Sequence, residues 1–226
     1  MLVATQAPFS GAVGLRGYRN IIRDMKTDPG FVHNLLEYVT EVQIVYNKAI
    51  IDVNGTPPVP CDAWANLPNL KPEQVLEFAL PYATRLNEAI KQYSGGYGSH
   101  WFYGWGYSLA PNWKSFLRTL NASGTATEFL FEEDILGRAG YGKIDLKEYM
   151  DICRKQKVVV STSLMPQSML EGPTERIREL ITEWHNICGP GGGHEYYTTI
   201  PIGTPPEHVQ AYVDALKSCK YPFAQA

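Results

Sequence analysis

A short apolar run followed by a helical run, repeated along the chain, narrows the possible folds more than any other feature. Residues 2–5, 97–101, 127–131, 158–162 and 194–199 read as strands, the clearest being 127–131 and 158–162. Residues 57–61 have poor strand propensity, with Pro57, Pro58 and Pro60, yet they fall on the same beat. Helical patterns fill the intervals at 17–25, 28–53, 71–93, 111–120, 145–155, 173–187 and from Pro205-Pro206 to about Ser218. Asp28 before Pro29 is a start signal, a side-chain cap followed by a residue that needs no N–H in the first turn. Val32, Leu35, Leu36, Val39, Val42, Ile44, Val45, Ala49 and Ile50 are expected to supply that helix's apolar face. Strands and helices alternating at about 30–40 residues predict parallel βα units. No Gly-x-Gly-x-x-Gly follows the first run, which weakens a dinucleotide-binding sheet. An open doubly wound sheet and part of an eightfold barrel both remain.

With 226 residues, one domain over 1–226 is expected. The net charge of −3 and the lack of a basic cluster argue against nucleic acid as partner. No apolar run is long enough for a membrane span. The N-terminus lacks the charged and apolar regions of a signal peptide, so Asn54-Gly-Thr56 and Asn121-Ala-Ser123 are idle glycosylation matches. Cys61, Cys153, Cys188 and Cys219 are scattered, as in a reduced cytoplasmic protein. Aromatics at 12% suit an enzyme cavity or a buried interface.

Residues at the carboxyl ends of barrel strands face the chemistry, so the candidates are sought there. His100 follows the aromatic run and reads as a metal ligand or proton-transfer group, or as a histidine bonded among its aromatic neighbours. Asp62 follows the proline-rich run and is either a pocket carboxylate or a turn cap; Cys61 beside it reads as a small buried residue. Glu132, Glu133 and Asp134 cluster at a strand end, with Glu132 and Asp134 favoured for acid–base work. Trp101, Phe102, Tyr103, Trp105 and Tyr107 form either a platform for an aromatic substrate or core packing. His194 and Glu195 could join His100 in a site of N and O ligands, although His194 opens its strand at the far end from the expected pocket.

The order of several short motifs resembles the uroporphyrinogen decarboxylase superfamily, which includes porphyrinogen decarboxylases and zinc- and corrinoid-linked methyltransferases. The motifs are Ala7-Pro8-Phe9-Ser10, Leu15-Arg16-Gly17, Asp28-Pro29 with Val32-His33 and Leu35-Leu36, and Asp62 ahead of Leu76-Glu77-Phe78 and Leu80-Pro81-Tyr82. They continue with His100, Leu170-Glu171-Gly172-Pro173-Thr174-Glu175 and Thr204-Pro205-Pro206-Glu207-His208-Val209. The resemblance implies an α/β, (β/α)8 TIM-type barrel of which this chain lacks about the first two βα units. It puts Asp62 and His100 at the pocket; with the strand-end carboxylates, the expected catalytic residues are Asp62, His100, Glu132 and Asp134, and the expected substrate contacts Phe9, Trp101, Phe102 and Tyr103. The methyltransferase branch implies zinc, with His100 as a ligand, and a corrinoid (cobalamin). Yet Phe102 stands where that branch has a cysteine two residues after the histidine, and no cysteine follows the last strand. On the decarboxylase side, the tyrosine expected after Pro8 falls at Val13-Gly14. The leading expectation is methyl transfer involving a corrinoid or methylated small substrate, with a corrinoid protein or a second chain completing the barrel as possible partners. The alternatives are porphyrinogen decarboxylation on a tetrapyrrole, without a cofactor, and a non-catalytic subunit of a heteromeric barrel.

Overall fold

A computed structural model describes residues 3–65, 69–96 and 145–220, together with the backbone at 102–103 and 128–132. The chain divides into two compact units, Met1–Phe129 and Leu130–Ala226. Within each, the architecture is α/β with parallel strands.

In the first unit, β1 (Ala4–Gln6) pairs in parallel with β2 (Val59–Cys61), in register Ala4↔Val59 and Gln6↔Cys61. Next, β2 pairs with β3 (Phe102–Tyr103), which pairs with Glu128 and Phe129, the first two residues of β4 (Glu128–Glu132), the strand in which this unit ends. The proline-rich run is therefore a strand despite its composition. Cys61 C=O accepts from Ala7 N–H at 3.0 Å, a bond that carries the β1–β2 ladder to the N-cap residue of a helix. That helix, α1 (Pro8–Arg16), is not among the expected helical runs, the first of which begins at 17. In the first turn, however, the missing N–H of Pro8 costs nothing and the fixed φ favours a helix. Gly17, at φ +82°, ends α1 and leads into α2 (Tyr18–Thr27). The Arg16–Asp24 ion pair, at 2.6 Å, fixes the corner.

Asp28 accepts from Phe31 N–H at 3.0 Å and caps α3 (Pro29–Asn54) as expected. The buried face of α3 is narrower than its apolar content suggests. Val32, Leu36 and Val39 are buried, whereas Val42 and Val45 are 49% and 69% exposed. Two polar residues, Thr40 and Asn47, continue the buried line instead. Thr40 Oγ1 donates to Leu36 C=O, and Asn47 accepts from Thr5 Oγ1 of β1 at 3.2 Å while donating to Gln43 C=O. Burial there is stable because every polar group named has a partner.

The expected helix at 71–93 is two helices, α4 (Pro72–Phe78) and α5 (Leu80–Tyr93), broken at Ala79 because Pro81 cannot donate back across the joint. Along the α3–α5 seam, His33 bonds Tyr82, Glu37 and Glu41 bind Arg85, and Asp52 accepts from Tyr93. The partners ascend together in both helices, so α3 and α5 run parallel, as successive βα units require.

In the second unit, Asp145 caps α6 (Leu146–Lys155) by accepting from Glu148 N–H at 3.0 Å. β5 (Val159–Leu164) pairs in parallel with β6 (His194–Thr198), matching Ser161 to Glu195 and Ser163 to Tyr197. Three helices complete it: α7 (Pro166–Glu171), α8 (Thr174–Cys188) and α9 (Pro206–Ser218). Met150, Cys153, Val160, Leu164, Met169, Ile181, Cys188 and Ala211 are fully buried among them. Arg154 reaches from α6 to Cys188 C=O (2.6 Å) and Gly192 C=O (3.0 Å), pinning the glycine loop that leads into β6.

Two of the motifs behind the family resemblance meet here. Gly172 lies at φ +66°, and a Cβ there would fall 2.5 Å from His208 Nε2 of α9. His208 Nδ1 in turn bonds Met169 C=O at 2.9 Å. The glycine is required twice over, by its backbone angle and by the ring against it.

Candidate functional site

In the first unit, the carboxyl ends of β1 and β2 lie side by side, and the first turn of α1 bends over them. Asp62, immediately after β2, is 1% exposed. It accepts from Ser10 N–H at 3.1 Å and from Ser10 Oγ at 2.7 Å. Ser10 Oγ accepts in turn from Trp64 N–H at 3.2 Å. Burial pushes the Asp62 carboxyl up to about 6; the bonds from Ser10 and Ala65 oppose that shift without cancelling it. A carboxyl so placed changes charge near neutrality, as acid–base chemistry requires.

Around this pair, Phe9 is fully buried, whereas Trp64 is 40% exposed and stacks on Tyr18 at 5.0 Å between ring centroids. Tyr18 Oη donates to Asn69 C=O at 2.9 Å, which steadies the stack. Neither Ser10 nor Trp64 has a role in the pattern reading. The available signal was a small hydroxyl residue two positions after the helix-starting Pro8, and an aromatic two positions after a strand-end aspartate.

The remaining candidates are distributed differently. His100, Trp101, Glu133, Asp134, Trp105 and Tyr107 lie outside the described residues. For Phe102, Tyr103 and Glu132 only the strand backbone is described. The described residues of β3, Phe102 and Tyr103, come just after the run at 97–101 expected to form this strand.

His194 and Glu195 are brought close in sequence but not to one site, because successive strand residues point to opposite faces. His194 Nε2 bonds Thr162 Oγ1 at 2.8 Å, while Glu195 accepts from Ser161 Oγ at 2.7 Å. Burial, reinforced by the charges of His185 and Arg154, holds the His194 imidazole down to about 4. It stays neutral at pH 7 and opens β6 at the amino end. The sequence idea of a joint His194–Glu195 metal site is therefore corrected by the pleat of the strand.

For zinc, the described donors do not fit. Cys153 and Cys188 are buried, with thiols pushed up to about 12, and Cys61 is raised as well by burial and by Asp62. Zinc needs thiolates or other donors converging in fours. Among the described residues, no three His, Cys, Asp or Glu side chains converge.

Parallel βα units, with a protonatable carboxyl held at the strand carboxyl ends, define an α/β protein. The uroporphyrinogen decarboxylase (URO-D) family model matches residues 1–219, and the chain belongs to that family. Among solved structures, a methyltransferase from Methanosarcina mazei shares the fold with a TM-score of 0.69 at 17% identity, over 95% of this chain and 57% of that one. This chain therefore spans little more than half the length of that methyltransferase. No curated protein matches it in sequence. Among the described residues, no helix is long and apolar enough to cross a membrane.

Proposed function

We propose that this protein is a methyltransferase of the family, moving a methyl group between a corrinoid co-substrate and a small thiol or methylated molecule. The observation that carries the reading is Asp62, a dry carboxyl at the end of β2 whose pKa is about 6. At pH 7 such a group can take a proton from a substrate and return it with little driving force either way. In the thiol direction, Asp62 would receive the thiol proton, and the resulting thiolate, the stronger nucleophile, would take the methyl group as the methyl–corrinoid bond breaks and leaves its electron pair on the corrinoid. Ser10 holds Asp62 Oδ1 in place, and the Trp64–Tyr18 stack supplies an apolar wall beside it. The described strands then correspond to six of the eight in a (β/α)8 barrel, with the site on the carboxyl-end face where such barrels work. Family membership and the methyltransferase likeness support that architecture. Free cysteines throughout suit a reducing, cytoplasmic setting.

Decarboxylation of a porphyrinogen is the second reading. It is favoured by the matched family's name and by a carboxyl able to deliver a proton without a metal. The test is incubation with methylcobalamin and 2-mercaptoethanesulfonate, with the methyl thioether measured by mass spectrometry. Thioether is expected, and Asp62→Asn should lower kcat by about 10²–10⁴-fold. Carbon dioxide release from uroporphyrinogen, with no thioether, would replace the first reading by the second.

A further inference from the structure

Helix α3 carries two apolar stripes, and among the described residues only one of them is covered. Val32, Leu36 and Val39 face the interior, while His33, Glu37, Glu41 and Asp52 meet α5 along one flank. The opposite flank consists of Tyr38, Val42, Val45, Tyr46, Ala49 and Val53, all exposed, Val45 at 69% and Val53 at 90%. On a helical projection these positions fall within an arc of about 100°, which no charged residue between 38 and 53 enters. Tyr38, Val42, Val45 and Ala49 keep the alternating four- and three-residue spacing of a helix–helix seam. The stripe runs about 22 Å along the helix. Contiguous apolar surface of that extent marks an interaction site.

Two features select its occupant. The first is symmetry. The stripe reads the same in both directions from a point between Val45 and Tyr46: Ala49 lies as far beyond that point as Val42 lies before it, and Val53 as far as Tyr38. Two copies of α3 laid antiparallel about a two-fold axis there set Val45 against Tyr46, Val42 against Ala49 and Tyr38 against Val53. Every side chain of the stripe then meets an apolar partner, in an isologous contact that closes as a dimer. The second feature is a groove of about 280 Å³ at the Val53 end of the stripe, lined by Val3, Ala49, Ile50, Val53 and Asn54. The same pairing brings Tyr38 of the other copy to this groove, an aromatic anchor of the kind that dominates interface energies.

We infer that the protein forms a two-fold dimer through α3, with Tyr38 of each copy seated in the Val3–Val53 groove of the other. The dimer does not depend on the methyl-transfer reading.

Sedimentation-velocity ultracentrifugation over a concentration series is the experiment, with far-UV circular dichroism to confirm that each variant folds. A dimer is expected. Val45→Lys places two ammonium groups at the axis and should weaken the dimer at least about 100-fold, and Tyr38→Ala, which removes the anchor, about 10–100-fold. Leu76→Lys, at an exposed position on α4 outside the stripe, should leave it unchanged. Cross-linking tests the axis separately. Under mild oxidation Val45→Cys should give a disulfide-linked dimer beyond the wild-type background, because both copies of the residue lie beside the axis. Val53→Cys should not, since its two copies lie about 22 Å apart along the helices. A monomer at every concentration would overturn the proposal and leave the stripe to a different polypeptide. A dimer that survives Val45→Lys, or that cross-links through Val53→Cys and not through Val45→Cys, would overturn it as well.

Discussion

Replacing Asp62 by Asn should make the protein more stable at neutral pH, and the size of the effect follows from the geometry. Asp62 is 1% exposed, and its carboxyl sits at about 6 instead of 3.8, chiefly through burial. The folded state therefore binds this proton more tightly than the unfolded chain does. Between pH 3.8 and 6 the folded form holds more protons, so Asp62's contribution to stability falls as pH rises through that window, and the loss is complete above it. At about 1.4 kcal/mol per pH unit, the full effect is about 3 kcal/mol. Asparagine keeps an oxygen to accept both Ser10 bonds but has no charge to bury. Urea unfolding of both proteins should show the advantage of Asp62→Asn growing by about 2 kcal/mol from pH 4.5 to 7.5, with unchanged m-values. Asp62→Ala separates the charge from the hydrogen bonds. It leaves the buried Ser10 donors unmet and should cost about 1–3 kcal/mol relative to Asn at every pH. A pH-independent difference between wild type and Asp62→Asn would refute the argument that burial strains this carboxyl.

Three further outcomes follow from the structure. Gly172→Ala should destabilise by about 2–4 kcal/mol in urea unfolding, because the new methyl group meets the His208 ring at an unfavourable φ. Adding His208→Ala should recover part of that loss, and no recovery would assign the cost to the backbone alone. His194, held down to about 4, is protonated first in the unfolded chain, so stability should drop as pH falls from 6.5 towards 4. His194→Gln should flatten that limb of the unfolding profile. Cys153 and Cys188 should resist a thiol-specific disulfide reagent at pH 8 in the native state and react only on unfolding, while the half-buried Cys219 reacts first.

Most of the element order can be read from the sequence because the strands and helices carry strong, regular periods. The Asp28 cap, the helix from 146, the strands at 159 and 194 and the helices at 174 and 206 lie within a residue or two of their expected places, whereas α7 has no counterpart in the pattern. What escapes is physical. Pro8 opens a helix because helix starts tolerate it, and only the chain's path after β1 shows that it is used that way. The inward line of α3 passes through Thr40 and Asn47, which look like surface residues until Thr5 and the helix's own carbonyls satisfy them. Conversely, Val42 and Val45 are apolar yet outward, because hydrophobicity alone does not say which of two apolar stripes meets the sheet. At the site, Asp62 was a visible candidate from its place after a strand, but its partner was not. Ser10 is 52 residues away, and no local pattern links them. The alternation of a strand separates His194 from Glu195, a distinction that adjacency in sequence conceals.

The central claim is that Asp62 handles the proton in methyl transfer at the carboxyl end of β2. Its most direct test is the pH dependence of kcat/KM for methyl transfer from methylcobalamin to 2-mercaptoethanesulfonate, which reports essential groups of the free protein. The wild type should gain rate with pH through a limb near 6 and then level off as Asp62 becomes ionised, and Asp62→Asn should lose both the limb and most of the rate. An unchanged limb and rate in Asp62→Asn would contradict the account and leave Asp62 as a structural clamp on Ser10.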